Sequence, residues 1–253
     1  MTRAELLKTA KPILFNTDMV RAILDGRKTV TRRVLKNQDE NAFTYEWNYK
    51  DDVKDDVDLI CDRNGEVYTL ANKPPCHTGD ILYVRETWCW CPCWDCGLND
   101  PESGCSDTTA RMTMKFDHNK GECGCIGYKA SFAENEQPPG LETWKPSIHM
   151  PKEAARIFLR VTDVRVERVQ DIITGDYRTP GNINKEGIYE PCIDCTHHNG
   201  DCKDFIQDQT CRLVHSFAAL WNGTVRRSGI ETYCWAANPW VWVIEFQRLE
   251  VQE

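Results

Sequence analysis

No stretch of this 253-residue chain approaches the length of apolar run that a membrane span needs, and no apolar h-region follows the N-terminus. The expectation is therefore a cytoplasmic protein with no membrane partner. Net positive charge is also missing. The formal charge is −8 and the pI near 5.4, which argues against indiscriminate coating of a long polyanion, because counterion release needs many cations on one face. A small ligand or a short nucleic-acid segment in a locally basic cleft stays open. What is abundant is cysteine: fourteen residues, in a chain expected to live in a reducing compartment, where clustered thiols read as metal ligands rather than disulfides.

The acidic balance is broken at one place. Between Arg21 and Lys36, six cations (Arg21, Arg27, Lys28, Arg32, Arg33 and Lys36) stand against the acid Asp25. The run Met19–Leu24 repeats its apolar residues at helical spacing, with Asn16, Thr17 or Asp18 able to cap it and Gly26 where a helix stops. Thr29, Val30 and Thr31 then favour a strand. Lys28 and Thr31 are thus expected at a helix-to-strand corner, with Arg32 and Arg33 behind. A solvated basic turn is the plain alternative.

Along the rest of the chain, residues 1–10 read as a loose or helical lead-in and Ile13–Phe15 as a first strand. Residues 37–76 form an acidic and aromatic excursion expected to have weak structure of its own, with a hairpin turn at Asp62–Gly65 and a return strand at Glu66–Leu70. Ile81–Trp88 is dense in β-formers. Arg85 and Glu86 near its end are either an ion pair at a strand edge or a pocket lining. Trp144–Pro151, with Ser147 and His149, reads as a loop laid across something. His149 alone is more often a hydrogen-bonded structural histidine than a ligand or acid. Arg156–Val161 and Val164–Val169 are strands, the second alternating cleanly so that one face is wet. Asn182–Gly187 is a short helix carrying Glu186 at its end. Leu213–Trp221 shows a helical apolar stripe, and Pro239–Phe246 is a closing strand.

The cysteines fall in two groups, in stretches 89–126 and 190–211. The first holds Cys89, Cys91, Cys93, Cys96, Cys105, Cys123 and Cys125, with a CxxCG knuckle at Cys93–Gly97; the second holds Cys192, Cys195, Cys202 and Cys211. Four thiolates make a closed tetrahedral Zn²⁺ site that adds folding energy. One or two structural zinc ions are expected, with Cys91, Cys93, Cys96, Cys105, Cys123 and Cys125 competing for the first. No organic cofactor is indicated. Cys61, Cys76 and Cys234 stand apart and read as small buried hydrophobes.

The order of strand, helix, Gly26–Arg33, Gly79–Val84, a long strand pair, an acidic residue before an apolar helix, and the terminal Val241–Phe246 strand resembles the ASCH domain, in the PUA-like group of small β-barrels that handle RNA and modified nucleosides. The family signature GxKxxExR is matched here by Gly26, Lys28 and Arg33, with Thr31 at the glutamate position. The ASCH branch that hydrolyses N4-acetylcytidine also carries threonine there. The resemblance implies a mainly β fold over 11–253 with flanking helices, the acidic and two Cys-rich stretches being insertions. It implies Lys28, Thr31 and Glu186 as catalytic residues of an amidohydrolase on an N4-acylated cytidine or related modified nucleoside, Lys28 as base, Thr31 as nucleophile and Glu186 as proton shuttle. Two alternatives stand beside it. One is a non-catalytic binder of RNA or short single-stranded DNA, with Gly26, Arg32, Arg33, Arg85, Glu86, Trp88, Trp144, Ser147 and His149 as contact residues. The other is a zinc-stabilised module for an unspecified protein partner.

Overall fold

The computed structural model describes residues 1–92, 112–117, 122–134, 136, 143–173, 181–188 and 212–251. In chain order the elements are α1 (Arg3–Thr9), β1 (Lys11–Leu14), α2 (Thr17–Leu24), β2 (Val30–Val34), β3 (Ala42–Lys50), β4 (Val53–Arg63), β5 (Glu66–Asn72), β6 (Ile81–Arg85), β7 (Trp88–Pro92), β8 (Met112–Asp117), β9 (Glu122–Tyr128), β10 (Phe158–Arg168), α3 (Gly181–Lys185), α4 (Arg212–Thr224), α5 (Ile230–Tyr233) and β11 (Trp240–Leu249). The architecture is mainly β with a few short helices. Among the described residues no helix is long and apolar enough to cross a membrane, and no set of strands closes into a barrel.

The chain divides into two compact units, residues 1–24 with 81–159 and 249–253, and residues 25–80 with 160–248. In the first, Thr2 caps α1 through a capping box with Glu5. Strand β1 runs parallel to β6, Lys11 to Leu14 opposite Leu82 to Arg85. The β-former run at 81–88 is interrupted: β6 stops at Arg85 and β7 starts at Trp88. Strand β9 lies between β7 and β8, antiparallel to both. Leu6, Ile81, Tyr83, Trp88, Ile126, Tyr128, Met150 and Phe158 share one apolar cluster, against which Trp90 packs.

In the second unit β10, β11 and β2 lie side by side in that order, β11 antiparallel to β2 with Ile244 opposite Thr31 and Val243 opposite Arg32. The two strands expected at 156–161 and 164–169 are one continuous strand, Phe158–Arg168, in which the alternation changes phase at Thr162 and Asp163, between buried Val161 and buried Val164. Its core joins Val30, Val169, Ile183, Val214, Phe217, Trp221, Trp235, Val241 and Val243.

The acidic excursion differs from expectation. It is an ordered antiparallel sheet, β3–β4–β5. Both its turns carry two successive residues at positive φ, Asp51-Asp52 and Asn64-Gly65, the backbone that matches the twist of a two-residue hairpin. Alternation turns Val57, Leu59 and Cys61 inward, all fully buried. Tyr45 meets Trp240 edge-on at 5.7 Å between ring centres, and Trp47 meets Trp242 at 5.9 Å. Ten carboxylates lie in residues 37–76, yet this alternating apolar set decides the structure.

Candidate functional site

Helix α2 ends at Leu24 and Gly26 takes φ +73°, a left-handed conformation at the helix stop for which glycine carries no Cβ penalty. The chain then turns so that Lys28 pairs by an antiparallel bridge with Glu186, and Thr29 N–H donates to Lys185 O at 2.8 Å. Phe246 N–H donates to Thr29 O at 2.9 Å, which locks the corner onto β11. Arg27 Nη1 donates to Gly187 O at 2.9 Å from the other side.

This backbone clamp places a buried ion cluster. Lys28 Nζ donates to Glu186 Oε2 at 2.6 Å, to Glu186 O at 3.0 Å and to Val30 O at 2.7 Å. Three N–H groups meet three acceptors, so the ammonium is fully bonded. Arg32 Nη1 donates to the other carboxylate oxygen, Glu186 Oε1, at 2.8 Å, and Arg32 Nη2 reaches Glu167 Oε2 at 3.2 Å. Glu167 in turn accepts from Arg165 Nε at 2.5 Å, and Arg165 Nη1 also holds Asp163 at 3.0 Å and Glu245 at 2.6 Å. The side chains of Lys28, Arg32 and Glu186 are 0%, 2% and 4% exposed. Two cations therefore share a carboxylate in a desolvated setting.

Burial pushes the Lys28 amine below its ordinary range; Glu186 opposes that, while Arg33 and Arg32 add to it. Burial likewise lowers Arg33, again against the pull of Glu186. For Arg165 burial works downward, but the bonds to Glu167, Glu245 and Asp163 raise it overall.

Of the residues expected to be catalytic, Lys28 and Glu186 are in direct contact. Thr31 is buried and neighbours Arg32 in β2, so alternation sends its side chain to the face opposite the Arg32–Glu186 contact. Its peptide is nonetheless close: the Val30 carbonyl that accepts from Lys28 is bonded to the Thr31 nitrogen. Two buried polar atoms beside this cluster have no partner among the described residues, Arg32 Nε and Asn184 Oδ1.

The remaining expected contact residues gather in the first unit. Glu86, 1% exposed, is held by Arg156 through two parallel bonds of 2.9 Å. Arg156 also donates to Ser131 Oγ at 2.7 Å and lies 4.1 Å from the centre of the Tyr128 ring. Burial raises the Glu86 carboxyl and Arg156 opposes the rise. The strand-edge ion pair considered for Arg85 and Glu86 is thus a Glu86–Arg156 pair; Arg85 Nη2 instead donates to Ile148 O. Trp88 exchanges backbone bonds with Lys145, whose Nζ sits 4.9 Å from its ring centre. Trp144 packs on Phe132 at 5.6 Å between centres. Ser147 opens a 3-10 turn that ends at His149, which is exposed.

Cys93, Cys96, Cys105, Cys192, Cys195, Cys202 and Cys211 lie outside the described residues. The β7–β9 register sets Cys91 directly opposite Cys125, with Cys123 two positions along the same strand. Cys61, Cys76 and Cys89 are buried, and Cys234 is half-buried. Sequence reading did not find Arg156, Glu167 or Asn184. The alternation of Arg165 and Glu167 along β10 is visible in the sequence, but the partners of these residues are far away in the chain.

Comparison of this chain with protein families, with curated proteins and with solved structures finds no match.

Proposed function

We propose that the chain is an ASCH-type amidohydrolase, a PUA-like core with zinc-binding insertions, that removes the acyl group from N4 of a cytidine or related modified nucleoside. The carrying observation is the buried 2.6 Å contact of Lys28 Nζ with Glu186 Oε2, since the resemblance requires these two distant residues to act together. In the reaction a water beside neutral Lys28 Nζ attacks the acyl carbonyl and gives its proton to that amine. The C–N4 bond breaks as the leaving amine takes that proton, and the carboxylic acid is released directly. Glu186 accepts the ammonium proton beforehand, which burial of Lys28 favours. The unpartnered Arg32 Nε and Asn184 Oδ1 offer one donor and one acceptor, the complement of a secondary amide's C=O and N–H.

The same contacts weigh against Lys28 and Arg32 as a grip for phosphate. Their charges are already met by Glu186 and Glu167, leaving little positive field at that corner. The test is release of cytidine from N4-acetylcytidine, followed chromatographically. Wild type should turn over, and its rate should rise with pH through the lowered Lys28 value. Lys28→Arg keeps a cation but cannot deprotonate, so it should be inactive while folded. A folded wild type that releases no cytidine, or an active Lys28→Arg variant, would overturn the proposal.

A further inference from the structure

Independently of that reading, we infer that the first unit carries an oxyanion site, suited to a phosphate group, formed by Arg85, Trp88, Trp90 and Lys145. Three buried N–H groups here have no acceptor among the described residues: Arg85 Nε, Trp88 Nε1 and Trp90 Nε1. Folded proteins leave few buried donors unsatisfied, so three in one unit call for a common cause.

Their placement supplies one. Trp88 and Trp90 are two apart in β7 and rise from the same face, and Arg85 shares its face of β6 with Ile81 and Tyr83. Ile81, Tyr83 and Trp88 belong to the apolar cluster against which Trp90 packs, and the segment from Lys145 to Ile148 ties Trp88 to Arg85, Lys145 exchanging backbone bonds with Trp88 and Ile148 O accepting from Arg85 Nη2. All three groups only donate. Lys145 brings an ammonium to the Trp88 ring. The neighbouring carboxylate, Glu86, is taken up by both bonds from Arg156, and among the described residues no carboxylate pairs with Arg85. What meets several fixed donors and a guanidinium bonded only to a neutral carbonyl is a group with several acceptor oxygens and negative charge. The phosphate of a free nucleotide and the phosphodiester of a single strand share that chemistry.

The experiment measures binding of inorganic phosphate, cytidine 5′-monophosphate and an eight-residue oligothymidylate by calorimetry. The proteins are wild type, Trp88→Phe and Trp90→Phe, each checked for folding by circular dichroism. Phenylalanine keeps the ring and removes only the N–H. Wild type should bind at least one probe, with affinity falling as salt rises, and each variant should bind it about tenfold more weakly, the loss expected for a bond to a charged acceptor. Preference for the mononucleotide or for the oligomer identifies the source of the phosphate. No binding of any probe by wild type, or unchanged affinity in both variants, overturns the inference. If one variant fails to fold, the other decides.

Discussion

Replacing Glu186 by glutamine is the sharpest perturbation of the second unit. The carboxylate accepts from Lys28 at 2.6 Å and Arg32 at 2.8 Å, and its side chain is 4% exposed. Glutamine preserves the volume and one acceptor, but turns an amide NH₂ toward one of two buried cations. Breaking a buried pair by removing one partner costs about 3–5 kcal/mol, because the remaining charge is left uncompensated out of water. For a chain of this size about 2–4 °C accompanies each kcal/mol, so the melting transition should fall by roughly 6–20 °C. Arg32 keeps Glu167 at 3.2 Å, which holds the loss toward the lower end. Lys28→Met, which leaves Glu186 its bond to Arg32, should cost less than Glu186→Gln. In a double-mutant cycle by urea denaturation the two should couple by about 1–3 kcal/mol. A cost for Glu186→Gln under about 1 kcal/mol, the range of an exposed pair, would refute the claim that this cluster is closed to solvent.

Glu86 makes a pH prediction. Its folded value is raised by burial, so the folded state holds more protons than the unfolded one between the ordinary carboxylate value and the raised value. Its contribution to stability is complete below that window and is lost as pH rises through it. Unfolding free energy of wild type, taken relative to Glu86→Gln, should therefore fall across that interval; a flat difference would contradict the burial of Glu86. The cysteine groups make a further one. Elemental analysis should find one or two zinc ions per chain, and a chelator should lower the melting temperature. A metal-free protein with unchanged melting would remove zinc from the account.

Much of the second unit is legible from local chemistry. Gly26 ends α2 as its position implies, Val30–Val34 and Trp240–Leu249 are strands because β-branched and aromatic residues crowd them, and Asn64-Gly65 makes the hairpin turn. The excursion at 37–76 was harder to read. Its acids are spread among its apolar residues, and the pattern that matters is the alternation of Val57, Leu59 and Cys61 on one face. The pairing of Lys28 with Glu186 spans 158 positions, and that of Glu86 with Arg156 spans 70. Spacing along one sequence carries no signal over such distances; family resemblance points to the first pairing, and nothing local points to the second. Thr31 illustrates the limit differently. Its neighbourhood to Lys28 follows from the turn, whereas its direction follows from strand alternation, and the two disagree.

The corner at Gly26–Thr29 is closed by residues translated long after it: Lys185 and Glu186 on one side, Phe246 on the other. While the ribosome is still making the middle of the chain, β2 has no β11 to pair with, and Lys28 and Arg32 stay hydrated beside an unsatisfied strand edge. Loop-closure entropy must be met before these contacts can form, so maturation of the second unit waits on nearly the whole polypeptide. A nascent chain halted before Trp240 would expose a cationic, β-prone segment, the kind of surface that chaperones bind.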